Sequence, residues 1–223
     1  MSEDTVIGEP GKKDRILFYA LVIVLVLGIS IFLLPNLFIS KPLSLDELHQ
    51  KNVNDKLDKN EGYLYNGHSF VFYDGLWYGL IAAPDLGKVF SIPFHYGPRE
   101  VAEIIPDGKF NGTIFNSYQS FFMTFDPLDE DLQYIAGSIG ETNGVLINAF
   151  GKNVVGACSK NTTDACHERP IVDCDSTPAP VIYFLSENAT SVVYDGNCAI
   201  ISGNDKEIFR ATDRMLFDIL GII

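Results

Sequence analysis

The stretch ILFYALVIVLVLGISIFLLPNLFI, Ile16 to Ile39, runs for 24 residues without a charged side chain. At 1.5 Å rise per residue, a helix of that length exceeds the hydrocarbon core of a bilayer, about 30 Å thick. A helix buried in a soluble domain keeps a polar stripe. This one is Leu/Val/Ile-rich all round, and only Tyr19, Ser30 and Asn36 break the apolar surface. It holds no ionisable group to carry ions or protons and no small-xxx-small dimerisation face. It reads as a plain membrane anchor, with Pro35 near the end, where a kink costs least. The run is about twice the length of a signal-peptide core. A cut after Ser40 would place the bulky Phe38 three residues before the cleaved bond. The anchor is therefore expected to stay uncleaved.

Lys12, Lys13 and Arg15 precede the span, and Lys41 follows it. An excess of basic residues marks the cytoplasmic side, so the chain is expected N-terminus in. Residues 1–15 form a cytoplasmic tail, 16–39 the span through the lipid bilayer, 40–61 a juxtamembrane stalk or linker, and 62–223 an extracytoplasmic domain. Acceptor sequons at Asn111, Asn161 and Asn188 all follow the span and are candidate glycosylation sites.

The outside placement bears on GACSKNTTDACHERPIVDC. Cys158, Cys166, Cys174 and Cys198 are even in number and all lie after the span. An oxidising compartment favours disulfides. Four cysteines allow three pairings. The preferred one is Cys158–Cys166 with Cys174–Cys198, since the first closes a short loop holding Asn161 and the second ties an irregular segment to the strand NCAIIS. Zinc on Cys158, Cys166, His167 and Cys174 would have ligands eight residues apart instead of a tight knuckle. No metal and no cofactor is expected.

Residues 41–223 carry 13 Lys/Arg and 25 Asp/Glu, a net charge of −12. That argues against nucleic acid and against anionic headgroups as partners. Asn66-Gly67 and Asp74-Gly75 are hairpin turns between aromatic and β-branched runs and predict a three-stranded meander over YLYNGHSFVFYDGLWYGLIAA. KVFSIPFHY is a further strand stopped by Gly97-Pro98, and FNSYQSFFMTF another. Ser44 and Glu47 form a capping box for a short helix. Asp126-Pro127 is expected to start a helix carrying Leu128, Leu132, Ile135, Ile139, Leu146 and Phe150, with Gly137, Gly140 and Gly144 marking close approach. VIYFL, SVVY and CAIIS read as strands. NDKEIFRATDRMLFDILG closes the chain as an amphipathic helix burying Ile208, Met215, Leu216, Ile219 and Leu220. The fold class is α+β: the membrane helix, then one mostly antiparallel β domain with two packed amphipathic helices.

YNGHSFVFYDGLWY, IPFHYGPREV and GNCAIISGNDKEIFRATDRMLFDILGI resemble a group of single-pass proteins from archaeal genomes. The resemblance covers most of 62–223. It implies a membrane-anchored extracytoplasmic protein and carries over no catalytic residue.

Other chemistry is sparse. AGSIG, 136–140, approaches a nucleophile elbow, but Ser138 lies inside a helical pattern, without the strand an elbow needs before it. His68 and His95 are the candidate bases. Asp126, Asp129, Glu130 and Asp131 offer oxygens for calcium without loop-site spacing. His95, Arg99 and Glu100 form a salt-bridged turn. The aromatics Tyr63, Tyr65, Phe70, Phe72, Tyr73, Trp77 and Tyr78 read chiefly as sheet core. The expected function is a non-enzymatic binding or structural module of the cell envelope with a protein partner there. The alternatives are an anchored hydrolase, which would need His68 or His95 to meet a carboxylate in a pocket, and an accessory subunit of a membrane complex.

Overall fold

The computed structural model describes residues 11–38, 42–83 and 87–223. The chain divides into two units, one ending at Leu43 and one from Ser44 to Ile223. Among the described residues the first contains one helix, α1, Lys12–Phe38. Its large apolar side chains from Ile16 to Leu27, and Ile29, are all exposed. Side chains are described for Lys12, Lys13 and 15–29 of it, and among the described residues no helix is long and apolar enough to cross a membrane. The helix backbone itself continues to Phe38.

The second unit is α+β, with two sheets. Sheet one is the antiparallel meander β1 (Gly62–Tyr65), β2 (His68–Tyr73), β3 (Leu76–Ala83) and β4 (Lys88–Phe94), in that spatial order. Its first two turns are set by local chemistry. Asn66 (φ 46°) with Gly67 (φ 86°), and Asp74 (φ 49°) with Gly75 (φ 83°), take the left-handed conformation that a two-residue hairpin requires. α3, Pro98–Val101, follows β4.

Sheet two has the order β6-β5-β7-β9-β8. It comprises β5 (Ser120–Phe125), β6 (Asn153–Gly156), β7 (Val181–Leu185), β8 (Ser191–Asp195) and β9 (Cys198–Ser202). β5–β6, β5–β7 and β7–β9 are parallel, and only β8–β9 is antiparallel. The antiparallel expectation therefore describes the first sheet and not the second. The parallel pairing follows from α5, Leu132–Phe150, which returns the chain from the end of β5 to the start of β6.

α5 packs on β3, β4 and β6. α6, Glu207–Ile219, packs on β8 and β9, and its Phe217 ring meets Phe70 and Phe94 of the first sheet. One core joins both sheets through these helices, with Phe70, Phe94, Met123, Phe184, Leu216 and Phe217 almost fully buried. The outer face of the second sheet carries Val181, Cys198 and Ile200, covered by the cysteine segment through Ala157 and Val172. A parallel sheet needs both faces covered, usually by helices. Here an irregular segment does it, held by Cys158–Cys166 and Cys174–Cys198.

Three local expectations are corrected. The segment 40–61 is not a bare stalk. α2 (Leu45–Val53), started by the Ser44/Glu47 capping box, buries Leu48, His49 and Asn52. Asn52 Nδ2 donates to the carbonyls of Tyr63 and Phe70, and His49 Nδ1 lies 2.9 Å from Ser69 Oγ. His49 and Asn52 thus help cover the outer face of β2. Second, the helix after β5 starts at Leu132 and not at Pro127, because Asp126 turns onto the Leu128 N–H and pairs with Lys160. Leu128 is left exposed. Third, FNSYQSFFMTF is only half strand. Gly112–Ser117 is a short helix, α4, capped by Asn111.

Candidate functional site

Where β4 leaves the ladder, its backbone N–H groups need new acceptors. Three consecutive residues find carboxylates from three helices. His95 N–H donates to Glu141 Oε1 of α5 (3.1 Å), Tyr96 N–H to Asp213 Oδ2 of α6 (2.7 Å), and Gly97 N–H to Glu100 Oε2 of α3 (2.7 Å). Gly97 is required here, since a side chain would run into the Tyr63 hydroxyl.

The His95 imidazole is fixed twice. Its Nδ1 lies 2.9 Å from Glu141 Oε2, and its ring stacks on Phe209 at 3.7 Å between centroids. Donation from Nδ1 to the carboxylate leaves Nε2 as the free nitrogen. Asp213 is fully buried, and its Oδ1 has no hydrogen-bond donor in reach. Burial, and next the neighbouring Glu141, push its carboxyl well above the usual carboxylate range. A proton on Oδ1 turns the orphan acceptor into a donor toward Glu141. His95, Glu141 and Asp213 then form a line of three titratable groups, with only His95 substantially exposed.

This line ends at a cleft of about 440 Å³ between β4 and α5. Phe90, Ile92, Pro93 and His95 form one wall, and Gly140 and Gly144 open the other. A Cβ at either glycine would meet nothing within 4 Å, whereas one at Gly137 would strike the Phe209 ring at 2.7 Å. The glycine face thus does two things: Gly137 lets α6 approach, and its two neighbours leave a groove.

Of the residues singled out in the sequence, His95 is brought to the site and His68 is not. His68 starts β2, opposite Tyr65. Arg99 lies over the Tyr63 ring at 4.0 Å, and Glu100 caps the turn, so neither pairs with His95. Ser138 is fully buried inside α5 with an unpartnered hydroxyl. The acidic cluster braces loops: Asp131 takes Ser186 Oγ and the Asp205 N–H, while Asp129 takes the Ser186 N–H. Among the described residues no His, Cys, Asp or Glu group could hold a metal ion. All four cysteines are in disulfides, and His167 is an exposed loop residue beside Asp164. Asn111, Asn161 and Asn188 are exposed. Glu141 and Asp213 escaped the sequence reading because they lie 46 and 117 residues from the turn they hold.

Comparison with protein-family models, with curated proteins and with solved structures gives no match.

Proposed function

We propose that this chain is a single-pass membrane protein whose extracytoplasmic α+β domain works by binding, with the β4–α5 groove as its ligand-facing site. The observation that carries the reading is the spent state of the carboxylates. Glu141, Asp213 and Glu100 each give an oxygen to a backbone N–H of the 95–97 turn, so they brace a recognition surface. Ser138, the one hydroxyl in an elbow-like sequence, has no path to solvent. The anchor rests on the uncharged run 16–39, its basic flank and the helix Lys12–Phe38. The two disulfides suit an oxidising compartment. Residues 1–15 then face the cytoplasm, and the exposed sequons face the glycosylating side. The archaeal resemblance, with a partner in the envelope, fits the same reading.

Protease added to intact cells should remove residues 44–223 while sparing the anchor, and complete protection would reverse the orientation. For the groove, a photo-crosslinker at Asn148 should give a discrete adduct in cells that Gly144→Trp abolishes. An adduct indifferent to Gly144→Trp would move the ligand-facing site elsewhere.

One observation favours a second reading, an anchored hydrolase. His95 Nδ1 is held by Glu141 as a general base would be. That reading requires hydrolysis of an ester or amide probe by the purified protein, lost in His95→Gln.

A further inference from the structure

A second cleft, separate from the groove and not dependent on it, opens where β5 and β6 end. It measures about 640 Å³, within the range of about 300–1,000 Å³ typical of small-molecule sites. Its accessible walls are Phe125 of β5, Leu132, Ala136 and Ile139 of α5, and the backbone at Gly156 of β6. A Cβ at Gly156 would meet nothing within 4 Å, so the space there is open. The carboxyl ends of parallel strands are where open α/β sheets commonly take ligands. The loop closed by Cys158–Cys166 forms one side. Leu132 stands 37% exposed beside the opening.

A single charged side chain lines this cleft, Arg169. The four arginines after α1 are Arg99, Arg169, Arg210 and Arg214. Arg99 lies over Tyr63, Arg210 pairs with Glu103 and Glu207, and Arg214 pairs with Asp218. Of these four, only the Arg169 guanidinium has no ion-pair, hydrogen-bond or aromatic partner. In a chain of net charge −13, an unpaired arginine at the mouth of an apolar cleft is complementary to an anion carrying an apolar body. Apolar walls gain by excluding water, and the guanidinium fork matches a carboxylate.

We propose that the cleft between β5, α5 and the Cys158–Cys166 loop binds a single-chain anionic amphiphile, its tail against Phe125, Leu132 and Ile139 and its carboxylate on Arg169.

The test uses the full chain in lipid nanodiscs, with empty nanodiscs as the blank and radiolabelled dodecanoate below its micellar concentration. Saturable uptake above the blank is expected. Arg169→Glu, on an exposed loop, should weaken dodecanoate at least tenfold and leave dodecanol unchanged. Dodecyltrimethylammonium should bind the wild type poorly and Arg169→Glu better. Ala136→Trp should abolish uptake of both dodecanoate and dodecanol. If Ala136→Trp does not fold, the Arg169→Glu comparison decides alone. No saturable uptake, or equal dodecanoate uptake in Arg169→Glu, would overturn the proposal, as would unchanged uptake in a folded Ala136→Trp.

Discussion

Tyr96 donates its backbone N–H to Asp213 Oδ2 at 2.7 Å, across 117 residues of chain, and so fastens the end of the first sheet to α6. Its acceptor is a buried acid, and that fixes a pH dependence. Desolvation, and then Glu141, raise the Asp213 carboxyl above its ordinary value. The folded state keeps a proton that the unfolded chain releases near pH 4. Stability from this group is therefore whole below pH 4 and falls as pH rises toward the raised folded value, by up to about 1.4 kcal/mol per unit. Asp213→Asn keeps an acceptor for Tyr96 and a donor for Glu141 without titrating. Denaturant melts at pH 4 and pH 7 should show the wild type losing stability relative to Asp213→Asn on going up. A constant difference would mean Asp213 is ionised in the fold.

Asp213→Ala should behave differently. It strands the buried Tyr96 N–H, a loss of about 1–3 kcal/mol. Melts at pH 7 should place it below Asp213→Asn by that amount.

The glycine face of α5 offers a matched pair. Gly144→Ala adds a Cβ into open space and removes a helix-interior glycine, so it should stabilise by about 0.5–1 kcal/mol. Gly137→Ala adds the same atom 2.7 Å from the Phe209 ring and should destabilise. Thermal melts of the two should shift in opposite directions.

Leu216 and Arg210 test the packing of α6. Leu216 is fully buried, and Leu216→Asp should cost more than about 3 kcal/mol by burying an unpaired charge. Arg210 is more than a surface residue. It pairs with Glu207 and Glu103 and donates to the Glu100 carbonyl, holding α3 to α6. Arg210→Asp places a third acid beside two others and should cost about 1–2 kcal/mol. Chemical denaturation of both variants would rank them, and equal small effects would mean that α6 does not hold the fold.

Peptide mapping without reductant should recover Cys158 with Cys166 and Cys174 with Cys198. Replacing Cys174 and Cys198 by Ser should cost about 2–4 kcal/mol. The cover of the second sheet's outer face should become protease-sensitive first, because the bridge ties it to β9.

What the amino-acid sequence determined by itself is what a few neighbouring residues can dictate. Asn66-Gly67 and Asp74-Gly75 prefer positive φ, and they set the meander and its register. Ser44 and Glu47 satisfy each other's helix end within one turn. The uncharged run from Ile16 is helical over its described length whatever follows it. The amphipathic period of α6 identified the helix and its buried Leu216. Tertiary structure decided what happened to the other face of that helix. α6 lies between sheet and helix, so Thr212, Asp213 and Arg214 are buried as well, and each was forced to find a partner: the Ile208 carbonyl, the Tyr96 N–H and the Ile104 carbonyl. The same holds for α2, whose His49 and Asn52 are buried where β1 and β2 lie beneath them. A polar side chain carries no local mark of whether it will face water. That depends on which surfaces the fold closes, and burial then makes a donor 117 residues away obligatory for Asp213.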